Sequence, residues 1–252
     1  MSRFPTSHLG ALREGVALFL RHPALALGLA VLAMVLTQVG PALELAAGVS
    51  SFLAQPLFAF AGLLPLEMYF IPRLQARLDA ELRPAPGRAE GEWRGAFDRR
   101  WARAFLLRLG LSLLIALGLL LFVIPGVLVL AIFGWAPLRL LIRGDAPVAA
   151  LRWSQAAMAR HWPRVVQAVL AMALVAMLYQ VAAGWSLGRL VPAAAGELGA
   201  DAWLRLKHPA FWAFGLLGGI VNVWLSCALL ALYHRLETAV ADASPDQSSS
   251  VK

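Results

Sequence analysis

LGLSLLIALGLLLFVIPGVLVLAIFGWAPL, Leu109 to Leu138, runs for thirty residues without one charged side chain. As a single α-helix it would measure about 45 Å at 1.5 Å per residue, against a bilayer hydrocarbon core of about 30 Å, so the stretch is expected to fold back on itself. Its one interruption is Ile124-Pro125-Gly126, where proline removes a backbone donor and glycine permits a positive φ. A tight hairpin at Pro125 and Gly126 therefore joins two predicted spans, about Ala104 to Val123 and about Gly126 to Leu141.

The same reasoning carries outward in both directions. A first span is predicted from about Ala24 to Val39, stopped by Gly40-Pro41, and a second from about Ser51 to Ile71, with Pro56 and Pro65 inside it. A fifth runs about Val165 to Trp185 and a sixth about Phe211 to Leu236. The expected fold is all-α: a polytopic transmembrane bundle of six spans in three hairpins. It forms one membrane domain over residues 1–240, followed by a disordered polar tail at 241–252.

The composition points the same way. Of 252 residues, 60% are hydrophobic and 14% charged, and the mean hydropathy is +0.72, above the range of ordinary soluble domains. Core helices of a soluble protein keep a polar stripe, which these runs lack. The lone cysteine, Cys227, lies in an apolar run, so neither a disulfide framework nor a paired-cysteine metal site is available. The N-terminus does not resemble a cleaved signal peptide, because Arg3, Arg13 and Arg21 are spread out and further spans follow.

Twenty-two basic residues face fourteen acidic ones, a net charge of +8. In a nucleic-acid binder such an excess forms a phosphate-binding face. Here placement matters more, because cytoplasmic loops retain Lys and Arg during insertion. With six spans and a cytoplasmic N-terminus, nineteen basic residues fall inside and three (Arg189, Arg205, Lys207) outside. Both termini are therefore expected on the cytoplasmic side of a bacterial inner membrane, and no nucleic-acid partner is expected.

Three segments share a phrase. FLRHP at Phe19, FDRRW at Phe97 and MARHW at Met158 each close a segment that can be drawn as an amphipathic helix: His8 to His22, Glu92 to Arg103, and Ala146 to Arg160. The first and third align without gaps, Leu12-Arg13 on Leu151-Arg152 and Arg21-His22 on Arg160-His161. Each is predicted to lie at the headgroup level as an elbow before its hairpin, with arginine snorkelling to phosphates and tryptophan at the interface. Arg21, His22, Arg99, Arg100, Trp101, Arg160, His161 and Trp162 are thus the candidate contacts for anionic lipid headgroups. Topogenic charge with simple interface anchoring explains the same residues.

Ionisable groups inside a membrane are functional candidates by default. Glu67 lies near the inner end of the second span and Arg139 near that of the fourth. A pair of Glu67 with Arg139, or with Arg108, would account for a carboxylate at that depth. Gly215, Gly219, Asn222 and Ser226 form a small and polar stripe suited to close helix packing, and a polar cavity wall shared by Asn222 and Gln180 is the alternative. The five histidines are scattered, none at metal-ligand spacing, and no nucleophile elbow, phosphate loop or dinucleotide fingerprint is present. No catalytic residue, metal or cofactor is predicted.

From Leu119 to Val166 the chain resembles the YciC-like family of bacterial inner-membrane proteins, related to the membrane domain attached to some glycerophosphodiester phosphodiesterases. The resemblance rests on an apolar run into Ile124-Pro125-Gly126, a second run with Pro137 near its end, a short polar turn, and an alanine-rich helix with Ser154 and the ending Arg160-His161-Trp162. It implies a six-span inner-membrane protein and brings no catalytic residues with it. The sequence therefore points to a non-enzymatic accessory or scaffold protein of the membrane that holds anionic lipid or another membrane protein at its basic elbows. A small transporter, with a path lined by Glu67, Arg139, Asn222 and Gln180, is the alternative.

Overall fold

Every regular element among the described residues (9–47, 66–82, 99–121, 123–190 and 208–242) of this computed structural model is helical. Helix satisfies backbone donors and acceptors within one segment, as a chain this apolar requires. The order is α1 (Leu9–Arg21), α2 (Pro23–Ala47), one π-helical turn (Leu66–Phe70), α3 (Ile71–Leu82), α4 (Arg99–Leu121), α5 (Val123–Phe133), α6 (Ala136–Arg143), α7 (Pro147–Leu190) and α8 (Pro209–Asp242). Of the expected polar tail, residues 241–242 are thus helical, and the remainder lies outside the described residues.

Among the described residues two helices are long and apolar enough to cross a membrane, Pro147–Leu187 within α7 and Pro209–Ala241 within α8; α1 and α2, bent by 100°, add a third if taken as one crossing. Six spans in three hairpins are therefore not reached among the described residues. Most of the expected second span, up to residue 65, lies outside them. The expected fourth span is broken. α5 has eleven residues, about 17 Å of rise, too little to cross the hydrocarbon. Pro137 causes the break, because a continuous helix would press its ring on the carbonyl of Phe133 and leave that carbonyl without a donor. Instead Pro137 sits in the first turn of α6, where the missing N–H costs nothing. A side chain on Gly134 would strike the Leu130 carbonyl oxygen, so the turning residue has to be glycine.

The fold-back itself is present. Ala104 and Leu107 of α4 share one apolar cluster with Ala136, Leu140 and Leu141 of α6, and α4 packs along both α5 and α6. Pro125 and Gly126 lie within the first turn and a half of α5, where the first N–H groups have no helical partner to lose. Gly40-Pro41 does not stop a helix either: α2 runs on to Ala47. Prolines are tolerated in apolar helices where the packing supports them.

The three elbows differ. The first is present: α1 ends at Arg21, His22 is a bend, and α2 leaves at 100°. The segment before the second lies outside the described residues up to 98, and Arg99, Arg100 and Trp101 open α4. The third elbow is absent. α7 passes through Arg160, His161, Trp162 and Pro163 as one helix of 44 residues. Its buried stripe explains this, with Ala150, Ser154 and Ala157 before Pro163 and Val165 and Ala168 after it at three- and four-residue steps, joined through the half-buried His161. Their packing outweighs the lost hydrogen bond.

The stripe in the first copy has the same register. Ala11, Gly15, Leu18, Ala26, Leu29 and Ala33 are buried, and each lies 139 residues before its counterpart in Ala150, Ser154, Ala157, Val165, Ala168 and Met172. His22 and His161, related by the same interval, are both half-buried. The repetition extends from the letters to the faces that are covered.

Aromatic residues bound the apolar part of each long helix. On α7, Trp162 and Trp185 stand twenty-three residues apart, about 35 Å; on α8, Trp212 and Tyr233 stand about 32 Å apart. Both lengths fit an apolar slab of about 30 Å with aromatic belts at its two faces. Arg189 stacks on Trp185 at 4.1 Å. Only 17% of the most apolar window of α7 is covered by protein, against 44% for α8. Leu170, Leu174, Met177, Val181 and Trp185 are all more than half exposed.

The chain divides into two compact units, one of residues 1–14, 74–170 and 228–252, the other of 15–73 and 171–227. In the second, a side chain on Gly219 of α8 would strike the Ala30 carbonyl of α2, so glycine there permits close backbone approach, as the small-residue stripe implied. The Tyr179 hydroxyl donates to the Phe214 carbonyl, and Ala33, Leu66 and Ile71 close the core against the π-helical turn.

Candidate functional site

Ionisable side chains from several elements of the first unit meet at a five-residue stretch, Tyr233-His234-Arg235-Leu236-Glu237, where the apolar run of α8 ends. Helical geometry points consecutive residues about 100° apart, so this turn and a half of helix presents polar groups in several directions, and each finds a partner on a different element. Tyr233 and Leu236 turn fully inward.

Glu237, 8% exposed, takes two arginines. Arg139 Nη1 donates to its Oε1 at 2.5 Å and Arg143 Nε to the same oxygen at 2.7 Å. Arg139 and Arg143 are four apart on α6, hence on one face. Arg139 Nε also donates to Asp145 Oδ2 at 2.7 Å. Asp145 reaches back because Gly144 caps α6 in the left-handed conformation, φ 74°, which a side chain would oppose. The Arg139 guanidinium lies 4.8 Å over the Trp153 ring, and that ring packs on Tyr233 at 5.4 Å. Two arginines against two carboxylates leave the cluster neutral. The hydrogen bond with Glu237 holds Arg143 more firmly protonated than a free guanidinium, against the opposing effect of burial.

His234 and Arg235 serve the other two neighbours. His234 Nε2 is 3.2 Å from Oδ1 of Asp79, a buried carboxylate on α3. Arg235 grips Glu14 of α1 through both Nε, at 2.9 Å, and Nη2, at 2.5 Å. A side chain on Gly10 would collide with that guanidinium. Glu14 and Trp153 are again 139 residues apart, so the same position in each repeat docks on this turn of α8, once as a carboxylate and once as an aromatic ring.

The sequence-predicted residues fare unevenly. Arg139 is in the cluster, and its carboxylates are Asp145 and Glu237; the side chain of Glu67 lies outside the described residues. Arg108 is half-buried on α4. Gln180 is exposed on α7, and Asn222 is half-buried on α8 with its carbonyl accepting from Ser226 Oγ at 2.9 Å. Among the headgroup candidates, Arg21 and Arg160 are exposed, Trp162 is 38% exposed, and Trp101 stacks on Phe105 at 5.3 Å. Sequence reasoning missed Glu237, His234, Arg235 and Asp79. The available signal was a polar turn directly after a long apolar run, with two arginines four apart elsewhere to receive its carboxylate.

Comparison with protein families, with curated proteins and with solved structures finds no match. Among the described residues no group of three or more His, Cys, Asp or Glu is placed to hold a metal ion. What the cluster can do chemically is bind charge to charge: every carboxylate in it already accepts from, or pairs with, a basic side chain.

Proposed function

We propose that this protein is a non-enzymatic, multi-pass component of a bacterial inner membrane, a scaffold whose basic cytoplasmic side holds acidic lipid or a partner protein. The observation that carries this reading is the mutual pairing at the end of α8. Glu237, Arg139, Arg143 and Asp145 neutralise one another, and His234 and Arg235 have their own acids, so the charges brace the fold. The positive-inside count over six expected spans supports a cytoplasmic position for this end and both termini, and the resemblance to YciC-like proteins agrees.

The test is proton and ion flux in liposomes containing the purified chain. The scaffold reading expects wild-type protein to leave the vesicles as tight as empty ones, and Glu237→Gln to lower thermal stability without altering permeability. A wild-type flux that Glu237→Gln abolishes would replace this reading with transport.

A further inference from the structure

The uncovered side of α7 at its basic end is the surface left once the charge cluster is accounted for. Arg152 and Arg160 are exposed there, as are Gln167 and Leu170. Arg160 and Gln167 differ by seven residues, two turns, so they lie nearly on one line about 10 Å apart, and Leu170 follows a turn further on. Trp162 marks the boundary of the apolar slab two residues beyond Arg160. From Val165 to Gly188 the helix carries no charge. One continuous face therefore offers, in order, a cation just outside the boundary, the exposed Arg164 close beside the boundary, an amide one turn inside it, and an aliphatic side chain below.

That order is the order of groups along a phospholipid: phosphate, glycerol esters, acyl chain. Resting on the membrane reading proposed above, we infer that this face of α7 is a binding site for one acidic phospholipid. Arg160 pairs with the headgroup phosphate, Gln167 donates to an ester carbonyl, and Leu170 lies against the first methylenes of the chain. Arg152, about 12 Å further out, attracts the headgroup's second charged or hydroxylated end. The helix presents these residues without a break, so the site is formed before the lipid arrives, and a zwitterionic headgroup, whose own ammonium competes with Arg160, fits it less well.

The experiment uses the full chain in nanodiscs of equal phosphatidylglycerol and phosphatidylcholine, released into a native mass spectrometer. Wild-type protein is expected to retain phosphatidylglycerol preferentially, and Arg160→Gln to lose that preference about fivefold, the equivalent of ~1 kcal/mol for one arginine at an acidic surface. Arg77→Gln is the control, since Arg77 is exposed and pairs with Glu81 on α3; it is expected to change nothing. Equal retention in Arg160→Gln and wild type overturns the site, as does an equal loss in both variants, which would mean bulk charge alone. Ions of a paired chain that lose the acidic lipid would show that a second copy occupies the face instead. Failure of the chain to enter nanodiscs at all would overturn the membrane reading, and is distinguishable from entry without lipid preference.

Discussion

Residues 11–33 and 150–172 share six buried positions in the same order, yet the first stretch turns through 100° at His22 and the second runs on as helix. The difference lies in where proline falls against the buried stripe. Pro23 comes one residue after the stripe position His22, about 100° round the helix; Pro163 comes two after His161, about 200° round and so opposite the stripe. A proline on the uncovered side opens the helix on its convex face, where curvature already lengthens the hydrogen bonds. At Pro23, which is itself exposed, His22 is restricted by the proline after it and leaves the helical region, and the proline opens α2, where its missing N–H costs nothing. Two copies of one pattern thus become an elbow and a mast through a shift of one residue.

The largest effect should come from moving the proline. Trp162→Pro with Pro163→Ala gives α7 the register of the first copy. Spin labels at the exposed Val148 and Leu170 should then shorten from about 33 Å, the rise of twenty-two helical residues, to about 23 Å for a 100° bend. An unchanged distance would mean that packing, not proline register, sets the geometry. Next is the anchorage that both copies share. Glu237→Ala leaves Arg139 and Arg143 without their common carboxylate and should cost about 3–5 kcal/mol in reversible SDS unfolding, the range for removing one partner of a buried pair.

Gly219→Ala should cost about 1–3 kcal/mol in the same measurement, because its methyl group must displace the α2 backbone at Ala30. A neutral result would show that α2 and α8 are not in close contact. Smallest is Glu14→Ala. Glu14 is half exposed, at 49%, and exposed pairs contribute about 0–1 kcal/mol. A loss as large as that of Glu237→Ala would mean that the elbow depends on its salt bridge rather than on its proline.

Much of this was legible in the chain itself. The thirty uncharged residues forced a fold-back, and the aligned Arg-His pairs located the repeat to the residue, because hydrophobic period and helix length are local properties. The proline and glycine of the expected hairpin fall in the first turn and a half of α5, since a proline can be absorbed in a first turn as readily as it can end a helix. The break at Gly134 has no local signal beyond Pro137, a proline near the end of an apolar run that becomes the first turn of α6. The charge cluster was not legible. Glu237 finds Arg139 and Arg143 across more than ninety residues, whereas the sequence offered Glu67 as the partner of Arg139. Which acid meets which arginine is decided by how helices pack, and an ion pair has no period to read.

The central claim is that α7 crosses the membrane once, between Trp162 and Trp185, with its basic half in the cytoplasm. Single cysteines from Arg160 to Arg189, in a Cys227→Ala background, challenged with an impermeant maleimide on whole cells and on inverted vesicles, test it directly. Labelling at 160 only in inverted vesicles, protection of exposed positions such as 170, 174 and 177, and labelling at 189 only in whole cells is the predicted result. Reaction at 160 and 189 from the same side would contradict it.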